Sequence, residues 1–258
     1  MAARLTIDRV SKVYGRQSDS VLALDNISLD IAAGEFVSLV GPSGCGKSTL
    51  LYIVGGFEVP SSGTVELDGR SIEGPGADRG MVFQDYALFP WKTVAENIMF
   101  GLELAGMPRE ERMARAARFV DMVGLSGFGH RFPHELSGGM RQRCALARSL
   151  ANDPKVLLMD EPLSAIDAMT RNTLQEDIHR LCGGGEGGPK TVLYVTHAID
   201  EAVFLSDRVV MLAPRPGRVV GTMAIPFGRE RNDDTRALPE FQALVNEIWH
   251  TMKAYTKV

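Results

Sequence analysis

Between the apolar run Phe36–Val40 (FVSLV) and a helical segment that begins at Ser48 lies GPSGCGKST, Gly41 to Thr49. No other stretch of the chain restricts the fold as strongly. A short, uninterrupted apolar run reads as a parallel strand covered on both faces. The glycines let successive backbone N–H groups converge on one point, and the N-terminus of the following helix adds positive potential there. The stretch fits GxxxxGK[ST], in which a lysine and a hydroxyl follow the last glycine. A turn that merely happened to use glycine would not need Lys47 and Ser48 at that point. Gly41, Pro42, Ser43, Gly44, Cys45, Gly46, Lys47, Ser48 and Thr49 are therefore candidate phosphate ligands. Lys47 suits the β- and γ-phosphates, and the Ser48 hydroxyl suits Mg²⁺.

Three further apolar runs stop abruptly at polar groups: Met81–Phe83 at Gln84, Val156–Met159 at Asp160-Glu161, and Val192–Val195 at Thr196-His197. In an open α/β sheet the carboxyl ends of the strands form the ligand crevice, so these groups gather where the glycine loop lies. Successive strand residues point oppositely, which lets Asp160 suit Mg²⁺ while Glu161 suits an attacking water. His197 suits sensing of a γ-phosphate; a lone histidine is otherwise a satisfied structural group, and only its place at a strand end favours the first reading. Other segments alternate instead. Leu5-Ile7-Val10, Ile27-Leu29-Ile31 and Thr64–Leu67, the last running into Asp68-Gly69, predict an antiparallel sheet with one wet face.

Between Phe83 and Val156 the pattern turns helical. Thr93-Val94-Ala95-Glu96 has capping-box form, and Pro108 opens a second helix with Met113, Ala116, Ala117, Val120 and Val123 on its apolar face. Ser137 caps a third helix, which ends at Asn152-Asp153-Pro154. The expectation is an α/β domain over residues 1–225, with a helical subdomain inserted at about 88–153 and a short helical tail at 226–258. Cys182–Pro189 (CGGGEGGP) reads as a flexible loop of unassigned role, and Glu240–Met252 as the helix of the tail.

The helix capped by Ser137 opens on LSGGM, Leu136 to Met140. Ser137, Gly138 and Gly139 make a second anion site from free N–H groups and the helix dipole, or else a plain N-cap of about 1 kcal/mol. Lying on the inserted helices, apparently away from its own glycine loop, it could serve a partner's nucleotide in a two-fold dimer. Bulk composition excludes other classes. A net charge of −4 and a pI near 5.8 will not draw the chain onto nucleic acid or acidic lipid. No apolar run approaches the roughly 18 residues of a membrane span, and MAARLTIDRV lacks a signal-peptide core, so a cytosolic chain is expected. Cys45, Cys144 and Cys182 show no CxxC spacing and are expected to be reduced thiols. Cys45, at a helix N-terminus, is further expected to be acidified.

The ordered set GPSGCGKST, Gln84, LSGGM, VLLMDEP, SAID and Thr196-His197 resembles the ATP-binding cassette (ABC) transport ATPases over nearly the whole chain. The resemblance implies a P-loop NTPase core of mainly parallel sheet, an antiparallel β subdomain and ATP sandwiched between the P-loop of one subunit and the LSGGM loop of another. It implies Glu161 as catalytic base, His197 as the γ-phosphate switch, and Gln84 as the link to a membrane partner, standing with Ser48 and Asp160 among the Mg²⁺ candidates. Tyr14, in VSKVYG, matches the aromatic that stacks on adenine, with a plain surface or core tyrosine as the alternative; Ser164–Asp167 matches a loop that communicates across the dimer. Met140 stands where Gln is usual and Ile166 where Leu is usual, and both swaps are tolerable.

YALFPWKTVAENI and APRPGRVV look like the cassettes of nitrate, sulfonate and taurine importers. Phe89, Pro90 and Trp91 would then line a groove for a cytoplasmic helix of the permease, or Phe89 and Trp91 merely pack the helical subdomain. The resemblance thus implies ATP and Mg²⁺ as cofactors, a homodimer, permease subunits, an extracytoplasmic solute-binding protein indirectly, no nucleic acid, and a place on the cytoplasmic face of the inner membrane. An exporter subunit and a cytosolic non-transport ATPase are the alternatives.

Overall fold

The computed structural model describes residues 2–15, 19–164, 166–183, 188–228 and 230–256. Two sheets carry the fold. The first is antiparallel, in the order β2-β1-β4-β5, from β1 (Leu5–Tyr14), β2 (Val21–Ile31), β4 (Ser62–Leu67) and β5 (Arg70–Ser71). Ile27, Leu29 and Ile31 of β2 are buried while Ser28 and Asp30 are exposed, so the alternation in the sequence is the alternation between core and solvent.

The second sheet runs β10-β9-β3-β8-β7-β6. It comprises β3 (Phe36–Val40), β6 (Arg79–Val82), β7 (Val156–Asp160), β8 (Thr191–Thr196), β9 (Arg208–Ala213) and β10 (Arg218–Ala224). The first five are mutually parallel; β10 closes the edge antiparallel to β9. Every residue of β3, β7 and β8 is buried, as their continuous apolar runs require. Strand β6 ends at Val82, one residue before the expected Phe83. Strand β9 was not anticipated, although its run Val209–Leu212 carries the same apolar signal and is at most 3% exposed.

Helix α1 (Lys47–Gly55) lies between the two sheets. Its Leu50, Leu51, Ile53 and Val54 are at most 2% exposed and share a core with both sheets. Each such side chain contributes about 1.5–3 kcal/mol of burial, so the helix behind the P-loop is held by the core itself. The opposite face of the parallel sheet packs on α4 (Gly138–Ala151), α5 (Ala168–Cys182), α6 (Ile199–Leu205) and α8 (Pro239–Thr256).

The expected helices between β6 and β7 are present. Helix α2 (Val94–Leu104) starts at Thr93, whose hydroxyl accepts from Glu96 N while Glu96 Oε2 accepts from Thr93 N. Pro108 is the N-cap of α3 (Arg109–Met122), so the helix begins one residue after the expected Pro108. The face of α3 is a correction: Met113 and Ala117 are exposed, and Ala116, Phe119, Val120 and Val123 fill the core. Phe119, six residues after Met113, takes a place in the core that Met113 does not.

The tail has two helices, α7 (Asp233–Ala237) and α8, the latter longer at both ends than expected. Four residues of the glycine-rich loop, 184–187, and Ala165 of the SAID loop lie outside the described residues.

Candidate nucleotide site

The P-loop follows from local sterics. A Cβ on Gly41 would stand 2.6 Å from Cys45 Sγ, and one on Gly46 would stand 2.6 Å from Leu24 Cδ2. Gly44 and Gly46 are at φ 76° and 93°, conformations that favour glycine. Lys47, 4% exposed, folds back along the loop, its Nζ donating to Gly41 O at 2.9 Å and Pro42 O at 3.3 Å. It also stands 3.7 Å from Glu161 Oε1.

The acidic pair at the end of β7 divides as the pleat requires. Asp160 points into the core, accepting from Ser48 Oγ at 2.9 Å and from the Tyr52 hydroxyl, with burial pushing its pKa up. Glu161 leaves the strand at φ 43° and faces His197, with Oε2 3.0 Å from Nδ1. Glu161 thus sits between the Lys47 ammonium and the His197 imidazole.

His197 is anchored from behind. Thr196 Oγ1 donates to Glu201 at 2.7 Å and accepts from Ala198 N at 3.0 Å; the Tyr194 hydroxyl donates to the other Glu201 oxygen. Burial raises the Glu201 pKa and fixes this carboxyl as the hub that orients the turn before α6.

Ser48 and Asp160 are hard oxygen donors of the kind Mg²⁺ takes when most of its shell comes from phosphate and water. Among the described residues no group of three or more His, Cys, Asp or Glu side chains could hold an ion unaided. The site therefore fits a cation that arrives with a nucleotide.

Tyr52 is the residue that motif reading passed over. It stands four positions after Ser48, hence on the same face of α1, and that spacing was the available signal.

Other expected residues lie around this centre. Gln84 Nε2 donates to Ser164 Oγ at 3.4 Å, and both line a cavity of about 840 Å³ with Tyr52, Tyr86 and Arg141. Tyr14 is 38% exposed at the end of β1, with the Lys12 ammonium 4.9 Å from its ring centroid. Lys12 pairs in register with Leu24, the residue packed on Gly46, so Tyr14 flanks the P-loop at the same end of the sheet.

Ser137 is the N-cap of α4, its Oγ accepting from Met140 N at 3.3 Å. A Cβ on Gly139 would meet Thr170 Cγ2 at 2.8 Å, so the LSGGM loop packs on α5. Asp167 caps α5, its Oδ1 accepting from Thr170 N at 3.0 Å.

Cys45 is a correction. Its thiol is fully buried, and desolvation raises its pKa despite the helix N-terminus beside it. All three cysteines are free and buried.

The turn between β9 and β10 is a further unexpected part of the site. Gly217 N donates to Ala23 O at 2.9 Å, Asp25 N donates to Gly217 O at 2.9 Å, and the turn backs directly onto the Cys45 carbonyl.

A P-loop at the end of β3, facing a carboxylate pair from β7 and a histidine from β8, defines a nucleoside-triphosphate hydrolase. Residues 24–164 match the profile of the ABC transporter family, and the chain belongs to it. It is 48% identical over 248 residues to an uncharacterised ABC transporter ATP-binding protein of Methanocaldococcus jannaschii, covering 96% of this chain and 92% of that one. It is 46% identical over 250 residues to the taurine import ATP-binding protein TauB of Rhizobium johnstonii, covering 95% and 94%. The nitrate import ATP-binding protein NrtD of Synechocystis sp. gives 46% over 250 residues, covering 95% and 93%.

Among solved structures, a dimeric ATP-binding cassette in a post-hydrolysis state with ADP and Pi superposes with a TM-score of 0.75 at 34% identity, over 87% of this chain and all of that one. The protein binds ATP and is an ATPase whose hydrolysis is coupled to transport. Among the described residues no helix is long and apolar enough to cross a membrane.

Proposed function

We propose that the chain is the ATP-hydrolysing subunit of an importer for a small anionic solute, working as a homodimer on the cytoplasmic face of the membrane beneath separate permease subunits. The relatives named for taurine and nitrate import support the anion. The observation that carries the reading is Glu161 held between Lys47 and His197, with Asp160 and Ser48 bonded to each other beside them.

On nucleotide entry Lys47 exchanges the Gly41 and Pro42 carbonyls for β- and γ-phosphate oxygens. Ser48 and Asp160 would hold Mg²⁺, which would neutralise charge on those phosphates. Glu161 polarises the attacking water, and His197 holds both Glu161 and the γ-phosphate. Tyr14 stacks on the adenine. Ser137, Gly138 and Gly139 of the partner subunit's loop close the site from the other side. We take residues 1–225 as the ATPase domain and 226–258 as its tail, and Ser164–Asp167 as the link across the dimer.

Gln84 transmits the state of the site to the permease. The permease helix enters a cavity of about 620 Å³ lined by Phe83, Phe89, Phe100, Leu104 and Arg148. Phe89 also packs on Phe100 at 4.5 Å, so it serves both subdomain and groove, whereas Trp91 is 70% exposed beside it.

The test is Glu161→Gln with ATP-Mg²⁺, followed by light scattering. A stable dimer is expected, and a monomer at saturating nucleotide overturns the composite site. Recovery of a multispanning permease with tagged protein from native membranes tests the importer; recovery of ribosomal or nucleic-acid proteins alone rejects it.

A further inference from the structure

Helix α4 begins at the LSGGM loop, and its far end grips the segment that carries Gln84. Arg148 lies in the last turn of α4. Its guanidinium forks onto two successive carbonyls, Nη1 to Ala87 O at 2.6 Å and Nη2 to Tyr86 O at 2.9 Å, and lies 5.7 Å from the Phe89 ring centroid. Both acceptor residues are left-handed, Tyr86 at φ 64° and Ala87 at φ 45°. Residues with side chains adopt that backbone rarely and keep it only where neighbours hold it.

The next residue, Ser149, donates to Met81 O at 2.7 Å, on the strand that leads into Gln84. Arg141, seven residues before Arg148 and so on the same face of α4, places its guanidinium 5.9 Å from the Tyr86 ring. Both stems of the Gln84 loop are thus fastened to one rigid helix. Burial lowers the Arg148 pKa, yet it has no carboxylate partner among the described residues and spends its planar fork on the loop carbonyls.

We propose that Arg148 is a positioning residue that makes the Gln84 loop and the Phe89 groove move with α4, so that capture of nucleotide by the LSGGM loop is delivered to the permease groove through this one side chain. The proposal rests on the composite-site reading above. A lysine does not reproduce the fork: its donors radiate from one nitrogen on a flexible stem and lack the planar, pre-organised pair of N–H groups that spans both carbonyls.

The experiment uses the full chain carrying Glu161→Gln, with amide hydrogen exchange followed with and without ATP-Mg²⁺. With Arg148 intact, nucleotide is expected to slow exchange at both 137–140 and 84–89. With Arg148→Met added, 137–140 is expected to slow as before, while 84–89 exchanges at least tenfold faster in the nucleotide-bound state than with Arg148 intact. Arg148→Lys, which keeps the charge, is expected to fall between the two and serves if the Met variant does not fold.

Equal ATP-dependent protection of 84–89 in both variants overturns the proposal. So does faster exchange along the whole of α4 irrespective of nucleotide, which marks a merely structural role. Absence of protection at 137–140 with Arg148 intact is a separate result: it defeats the composite site, and this coupling with it.

Discussion

Replacing Gly217 by alanine tests how closely the β9–β10 turn sets the phosphate-binding loop. Gly217 is not at positive φ, so alanine suits the backbone and the effect is one of space alone. The added Cβ would stand 2.2 Å from the Cys45 carbonyl oxygen, 3.0 Å from Leu24 Cδ2 and 3.1 Å from Ala23 O. Because Cβ contacts under 3.0 Å are essentially never seen, the P-loop or the turn must retreat by about 0.8 Å. The turn is held to β2 by two backbone hydrogen bonds, so much of that movement falls on Cys45 and the N–H groups of Gly46 and Lys47 that follow it.

Misplacing a catalytic or binding group by about 1 Å costs up to 10²-fold, so kcat/KM for ATP should fall roughly 10- to 100-fold, about 1.4–2.7 kcal/mol. Steady-state ATPase assays and fluorescent-nucleotide titration read this directly, and urea denaturation reports the fold separately. Gly228→Ala, whose Cβ would meet nothing within 4 Å, is the control. Nucleotide affinity and turnover within twofold of the parent in a folded Gly217→Ala protein would refute the steric reasoning.

Three other perturbations follow from the same geometry. Arg231, 7% exposed, donates to the carbonyls of Val203, Phe204 and Ser206 at the end of α6 and of Gly228 and Phe227 beside it. Arg231→Met should cost about 3 kcal/mol or more, since several buried acceptors lose their donor; an unchanged urea midpoint would show that water replaces it freely. Burial raises the Asp160 pKa, so its charge opposes folding above the usual carboxylate range and the opposition fades as pH falls through the folded pKa. Asp160→Asn should therefore raise the melting temperature of the nucleotide-free protein at pH 7, by less near pH 4, while abolishing Mg²⁺-dependent turnover; destabilisation at pH 7 would contradict it. Tyr14→Ala should weaken ATP binding by about 1–3 kcal/mol and Tyr14→Phe by almost nothing, because stacking needs only the ring; equal losses in both would move Tyr14 out of the adenine site.

Strands β3, β7 and β8 were legible because burial on both faces leaves no room for polar residues, and their ends were legible because polar groups must stop where the crevice begins. The P-loop was legible because its glycines are set largely by the loop's own backbone, with Gly44 and Gly46 at positive φ and Gly41 closing on Cys45. What escaped was decided by partners remote in sequence. Met113 has helical spacing but stays exposed, while Phe119 is buried in the core. The acidified Cys45 thiol was a sound inference from a helix terminus, overturned by burial in a core shared with residues of both sheets. Gly217 and Arg148 meet the site through backbone carbonyls, and a carbonyl leaves no residue-specific mark in a sequence.

The position of β3 in its sheet has a consequence for how the chain is made. Its neighbours are β8 and β9, formed by residues 191–196 and 208–213, so the strand that presents the P-loop has no partner until about 150 residues after it have been synthesised. Emerging from the ribosome at about 5–20 residues per second, the loop waits for many seconds beside an unpaired apolar strand. His197 arrives in the same stretch of chain that supplies the missing neighbour. A truncated or stalled product therefore lacks both the sheet that shapes its phosphate loop and the imidazole opposite Glu161. Spending of ATP is tied by topology to synthesis of the chain through β8 and β9, and the interval before β8 emerges is when the nascent protein most needs shelter from aggregation.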